Sequence, residues 1–252
     1  MVWLRNYSRP DPPRVRLVCF PHAGGSASAY AHWAPALPAS WQLDAVKYPG
    51  REDRILDPPM GSFSDMAQAI ADELASTDTG GTCVVFGHSM GSYLAYEVAV
   101  LRQKAHQRVD LLVLSGAGPQ GDRSALAARV SDDPSTGDLL ARQLLDMDPD
   151  SAAALSNPEL RDYVLRTLSW DLDLLDRHHL SDIVLGQVPV LAISGRDDPH
   201  TSPGQAAMWA GFTTGPFAQW VLPGGHFYLR DQLALVVAAI RATLDICQPG
   251  DR

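Results

Sequence analysis

An α/β fold, with a mostly parallel sheet covered by helices on both faces, is predicted by two features of the sequence. Short runs that are apolar at nearly every position recur along the chain, and amphipathic stretches of helical length separate them. The runs are Val15–Phe20, Leu43–Tyr48, Cys83–Phe86, Leu111–Leu114, Val190–Ser194 and Gln219–Leu222. Unbroken apolar character is what a strand buried on both faces requires. The amphipathic stretches are Phe63–Ser76, Met90–Arg102 and Gln232–Leu244. With 252 residues, 46% of them apolar, the chain has material for one large core, and residues 1–252 are expected to form a single domain.

Residues 119–182 break this rhythm. They are rich in Leu, Ala and Asp and show helical spacing at Leu139, Leu140, Gln143 and Leu144, and again at Tyr163, Leu168, Leu172 and Leu175. A helical insertion between two strands is expected there, serving as a lid. The plainer alternative is a crossover that only covers the sheet. The tail after Cys247 is expected to fray.

A formal charge of −9 argues against broad binding to nucleic acid or to an anionic membrane, both of which need a basic surface. Met1–Pro10 resembles no secretory signal and no run has membrane-spanning length, so the cytoplasm is the expected location. Cys19, Cys83 and Cys247 offer neither a close pair nor a metal-ligand spacing. Cys19 and Cys83 fall inside strand runs and are expected to be inert buried thiols. Neither metal nor cofactor is expected.

The chemistry centres on Phe86-Gly87-His88-Ser89-Met90-Gly91, which follows the strand CVVF directly and opens the helix beginning at Met90. A G-x-S-x-G block in that setting is the nucleophile elbow of the α/β-hydrolase fold, and Ser89 is the expected nucleophile. Glycines at 87 and 91 are required because a side chain at either place would strike the neighbouring strand or helix. The turn also aims the Met90 N–H, at the positive end of the helix, toward a developing oxyanion.

A serine hydroxyl needs a base beside it. Of the eight histidines, His226 lies in Leu222-Pro-Gly-Gly-His-Phe, a glycine turn after the last strand, and completes the chain order Ser, Asp, His of this fold. His200, near the acid loop, is the one rival. His88 should pack away from the chemistry, His32 and His106 fall in exposed helical stretches, and His178 and His179 belong to the mouth of the insertion. The acid comes from Ser194-Gly-Arg-Asp-Asp-Pro after VLAIS. Its spacing from Gly195 favours Asp198, with Asp197 as a solvated neighbour. The loop after the preceding strand holds no acid until Asp122. The first buried strand ends in Phe20-Pro-His-Ala-Gly-Gly-Ser, where this fold draws its second oxyanion donor. Ala23 is the expected donor, Gly24 and Gly25 permit close approach, and His22 should buttress the loop.

With these residues in place, the sequence resembles the type II thioesterases, stand-alone editing hydrolases of polyketide and non-ribosomal peptide synthases. The resemblance runs over nearly the whole chain. It is carried by Phe20-Pro-His-Ala-Gly-Gly-Ser-Ala, Tyr48-Pro-Gly-Arg-Glu-Asp-Arg, Gly87-His-Ser-Met-Gly, Gly195-Arg-Asp-Asp-Pro and Pro223-Gly-Gly-His-Phe. It implies hydrolysis of acyl groups from the phosphopantetheine thiol of an acyl or peptidyl carrier protein, with Ser89, Asp198 and His226 as the triad and Ala23 and Met90 as the oxyanion donors. Arg51 and Arg54, in the second block, either hold the loops through ion pairs or meet an acidic carrier. Ser92, Tyr93 and Trp170-Asp171-Leu172 depart from the family pattern and leave the acyl-chain preference open. The same triad also serves carboxylesterases acting on small esters, and a catalytically silent binding protein is the alternative from another class. The sequence does not fix an oligomeric state and is compatible with a monomer.

Overall fold

The computed structural model describes residues 2–78, 80–119 and 134–247. Seven strands form one sheet: β1 (Leu4–Ser8), β2 (Val15–Phe20), β3 (Trp41–Val46), β4 (Thr82–His88), β5 (Leu111–Ser115), β6 (Val190–Gly195) and β7 (Phe217–Leu222). Their order across the sheet is β1-β3-β2-β4-β5-β6-β7. β1 runs antiparallel to β3, and the other neighbours are parallel. The α/β-hydrolase fold expected from the sequence is the fold observed.

Both faces of the sheet are covered, and each covering helix buries the stripe its sequence offers. Helix α1 (Phe63–Ser76) turns Phe63, Met66, Ile70 and Leu74 onto one face, where α2 (Met90–Lys104) packs beside it. The Ser62 hydroxyl starts α1 by accepting the Asp65 N–H at 3.0 Å. The opposite face holds Tyr30 and Trp33, from a 3₁₀ segment at Ala27–Ala36, together with Val236, Val237 and Ile240 of the C-terminal helix Leu233–Cys247. Cys19 and Cys83 are buried, and burial pushes the Cys83 thiol up to about 11, which keeps it protonated and unreactive at neutral pH.

β1 was not expected, and several other strands depart from their expected bounds: β3 and β7 begin two residues early and β4 ends two residues late. β1 escapes a pattern search because LRNYS is half-exposed at the edge of the sheet. It is held instead by Glu73, whose carboxylate accepts the Trp3 N–H at 2.6 Å and the Leu4 N–H at 3.1 Å. β3 begins two residues before the expected Leu43, and it takes in the polar Gln42 because that side chain is bonded within the sheet to Asp44. Asp44 accepts from Arg16 Nε and from Gln42 Nε2, each at 2.7 Å, so the strand stays buried across them.

Between β5 and β6 the described residues form α3 (Pro134–Met147), the single turn α4 (Ala152–Ser156) and the long α5 (Pro158–Asp176). Asn157 caps α5 by accepting the Glu159 and Leu160 N–H groups, and Pro158 occupies the first turn, where no N–H is missed. Leu140 and Leu144 of α3 meet Leu165, Leu168 and Leu172 of α5 in a separate apolar cluster that also contacts Ala23. Helical spacing thus located the contact, while the partly exposed Leu139 lies outside it and Leu175 joins the main core. Residues 120–133, with Asp122, and the tail after Cys247 lie outside the described residues. No helix among the described residues is long and apolar enough to cross a membrane.

The tightest point of the fold is the junction of β2, β4 and α2. A Cβ on Gly91 would stand 2.1 Å from the Phe20 carbonyl oxygen, and one on Gly87 would stand 2.2 Å from the Gly91 oxygen. Gly91→Ala is therefore expected to lower the unfolding free energy by about 3 kcal/mol or more in urea denaturation. Gly61→Ala, whose Cβ would meet nothing within 4 Å, is expected to be near neutral.

Candidate active site

Ser89 occupies the turn between β4 and α2 with φ 54° and ψ −122°, a backbone region disfavoured for any residue carrying a Cβ. The strain is held by contacts from below. The Ser89 N–H donates to the Ser115 carbonyl at 2.8 Å, and the buried Ser92 hydroxyl bonds the Gly87 and Ser115 carbonyls at 2.9 and 3.0 Å. Ser92 is thus committed to supporting the elbow. Tyr93 likewise gives its hydroxyl to the Gly118 carbonyl at 2.9 Å.

The acid and base loops meet through another pair of glycine contacts. A Cβ on Gly195 would lie 2.3 Å from the Gly225 carbonyl, so the end of β6 and the turn after β7 touch backbone to backbone. Asp198 and His226, both buried, are thereby joined: His226 Nδ1 lies 2.9 Å from Asp198 Oδ2. The other carboxylate oxygen accepts the His200 and Thr201 N–H groups at 2.8 and 3.2 Å. A carboxylate at Nδ1 puts the proton there and leaves Nε2 as an acceptor. Asp197 is exposed, with only its backbone N–H engaged.

His226 stands against the residue that precedes Ser89, its ring centroid 5.1 Å from that of His88. No hydrogen bond between Ser89 Oγ and His226 Nε2 is among those of the described residues; such bonds often tighten only when substrate is bound. His88 is buried, and its Nδ1 lies 2.9 Å from the Ser115 hydroxyl, itself 2.5 Å from the Tyr228 hydroxyl. Burial, with His226 and His22 nearby, drives its pKa well below the ordinary histidine range, so it serves as neutral packing. His200 is edge-on to His226 at 5.7 Å and is also pushed down by burial. His32 and His106 are exposed; His106 follows the end of α2 at φ 56° and is not helical. His178 stacks on Phe63 at 4.4 Å with its Nε2 3.0 Å from Glu97, and with His179 it borders a cavity of about 410 Å³.

The loop after β2 is a tight turn, closed by the Gly25 N–H on the His22 carbonyl at 2.9 Å, with Gly24 at φ 73°. Two tyrosines fix the strand end: Tyr30 donates to the Phe20 carbonyl at 3.1 Å and Tyr48 to the Pro21 carbonyl at 3.0 Å. No described group accepts the Ala23 N–H, and Met90, at the first position of α2, has no carbonyl a turn behind it. A cavity of about 460 Å³ adjoins this loop, bordered by His22, Tyr30, His88, Phe227, Leu229 and Arg230.

The ion-pair role expected as one possibility for Arg51 is the one observed, while its partner Asp171 and the Arg230–Asp148 pair, which tie the insertion down, were missed by sequence reasoning. Arg51 makes a two-point bond to Asp171 of α5, with both N···O distances 2.7 Å, and Asp171 Oδ2 also accepts the Gly24 N–H at 2.7 Å. Arg230, four residues past His226, binds Asp148 at 2.5 and 2.7 Å. Arg54 is buried as well, bonded to Asp57 at 2.7 Å and to the Lys47 carbonyl at 2.8 Å. Both arginines of the Pro-Gly-Arg-Glu-Asp-Arg block therefore point inward and hold loops. Among the described residues no cluster of His, Cys, Asp and Glu is suited to a metal ion.

Burial, with His226 and Arg230 nearby, pushes His22 from 6.5 to about 3. The folded chain then keeps this imidazole neutral while the unfolded chain protonates it below about pH 6.5. The unfolded state binds more protons between pH 6.5 and 3, so stability falls as pH is lowered through that window. His22→Gln is expected to flatten part of this slope in urea midpoints measured from pH 7 to pH 4; an unchanged slope would mean that His22 is solvated in the folded protein.

A model of the thioesterase domain family matches residues 15–244. A probable cadicidin biosynthesis thioesterase of Streptomyces griseus is 32% identical over 243 residues, which cover 96% of this chain and 66% of that relative. Among solved structures, the RedJ thioesterase of the prodiginine pathway in Streptomyces coelicolor superposes with a TM-score of 0.81 at 32% identity, covering 91% of this chain and 92% of that one. YbtT, a type II thioesterase from the yersiniabactin pathway, reaches a TM-score of 0.85 at 25% identity, covering 98% and 99%. With the elbow, the acid and base loops and the turn after β2 assembled in one α/β-hydrolase scaffold, this chain belongs to the thioesterase family.

Proposed function

We propose that this chain is a type II thioesterase that releases acyl groups from the phosphopantetheine arm of acyl or peptidyl carrier proteins, clearing stalled chains from polyketide or non-ribosomal peptide synthases in the cytoplasm. The observation that carries the reading is the buried His226–Asp198 pair held beside a strained Ser89, with the Ala23 and Met90 N–H groups uncommitted nearby. The likeness to thioesterases of biosynthetic pathways supports the substrate class.

In this reading Ser89 Oγ attacks the thioester carbonyl as His226 Nε2 takes its proton. Asp198 stabilises the imidazolium and holds the ring. Charge on the carbonyl oxygen is met by the Ala23 and Met90 N–H groups. The carbon–sulfur bond then breaks, and the imidazolium returns its proton to the departing thiolate. Water, deprotonated by the same histidine, attacks the acyl-serine; the ester bond breaks, the imidazolium returns its proton to Ser89 Oγ, and the acid leaves. The chain acts as a single domain, residues 1–252, whose insertion at 119–182 forms a lid over the site.

Incubation of a carrier protein loaded with different acyl groups, followed by intact-mass analysis, tests the reading. Free carrier thiol should accumulate with the wild type and not with Ser89→Ala. Asp198→Asn should lower kcat by roughly 10⁴-fold, because the imidazole loses the partner that sets its tautomer. A strong preference for p-nitrophenyl esters over acyl-carrier substrates would instead mark a general carboxylesterase.

A further inference from the structure

Asp171 lies in the middle of α5, 147 residues from the turn whose N–H it accepts. Oxygen Oδ2 takes two donors at 2.7 Å each, the Gly24 N–H and Arg51 Nη1, and Oδ1 takes Arg51 Nη2 at 2.7 Å. Arg51 Nη1 also donates to the Gly25 carbonyl at 2.8 Å, and Nε donates to the Pro49 carbonyl at 3.2 Å. The pair therefore grips the turn on both sides, one residue holding the Gly24 N–H and the other the Gly25 carbonyl. Both side chains are almost completely buried, at 4% and 7% exposure. At that depth the bonds are not weakened by competing water, and among the described residues neither side chain makes an ion pair with any other group.

The neighbouring side chains of α5 press on the same loops. A Cβ on Gly24 would come within 3.3 Å of Leu168 Cβ, and one on Gly50 within 2.9 Å of the Trp170 ring. The turn so held carries Ala23 at its second position. Gly24 at φ 73° is the third residue, as a type II turn requires, and this orientation points the Gly24 N–H at the carboxylate.

We propose that Asp171, locked by Arg51, is a positioning residue that holds the β2 turn in the form presenting the Ala23 N–H to the reacting carbonyl. The inference rests on the assignment of Ala23 as an oxyanion donor. Asp171 touches no reacting atom in this account. It acts through the turn, and its loss should be felt where negative charge develops on the carbonyl oxygen rather than where the acyl-carrier binds.

The test compares the wild type with the double variant Arg51→Met/Asp171→Leu, which removes both buried charges together, and with Asp171→Glu, which keeps the charge but displaces it. Three quantities are read: kcat and KM on an acyl-carrier thioester, and the affinity for an alkylboronic acid, whose adduct with Ser89 places an oxygen where the oxyanion would form. In folded variants kcat is expected to fall by about 10- to 100-fold with KM little changed. Boronate affinity should weaken by a similar factor. Variants that keep wild-type kcat and boronate affinity, or that raise KM alone, would overturn the inference. A wild type that binds boronate but leaves acyl-carrier thioesters intact would overturn the proposed substrate; the boronate comparison would then still decide the role of Asp171.

Discussion

The structure depends on one contact between backbones: the first turn of α2 passes the end of β2 so closely that no side chain fits between them. Gly91 makes the approach possible, and the Phe20 carbonyl defines its limit. This proximity brings the loop that follows β2 against the first turn of α2, with the Phe20 and Pro21 carbonyls at Gly91. The parallel pairing of β2 with β4, in register from Val15–Thr82 to Phe20–Gly87, brings the two segments to that meeting point.

A second layer of contacts converts proximity into fixed geometry. Glycines at 195 and 225 let the acid and base loops touch, and the Asp198–His226 bond closes across them. Beneath the elbow, Ser115 gathers Ser89, Ser92, His88 and Tyr228 into one hydrogen-bonded group. From above, Arg51–Asp171 and Arg230–Asp148 fasten the insertion to the loops at either side of the site. Such buried or half-buried pairs contribute little net stability once desolvation is counted, but breaking one partner leaves a costly lone charge. Their effect is to specify an arrangement. Through Asp171, Leu168 and Trp170, α5 is packed against the loops at Gly24 and Gly50.

The parts of this design that were legible in the sequence are those written in local rules. Doubly buried strands need unbroken apolar runs, and the elbow needs glycines on either side of its serine. The candidate acid, Asp198, follows a glycine at the end of a strand, and the candidate base, His226, sits in a glycine turn; the structure pairs the two. What could not be read depends on partners far along the chain. β1 is recognisable only through its pairing with β3 and the Glu73 carboxylate. The early start of β3 takes in Gln42, which is buried on an Asp44 carboxylate that Arg16 also binds. Asp171 looks like any polar residue of an amphipathic helix until Arg51, 120 residues earlier, is placed beside it. In each case the missing information was the identity of a buried polar partner, which periodicity does not carry.

The torsion angles at Ser89 have a further implication. A glycine would adopt φ 54° and ψ −122° freely, whereas a residue with a Cβ holds them at a cost of about 1–3 kcal/mol. Ser89→Gly would relax this point of the backbone and remove the hydroxyl in the same change. Folding and reactivity thus pull in opposite directions at a single residue, and an inert relative of this chain would be free to become the sturdier of the two.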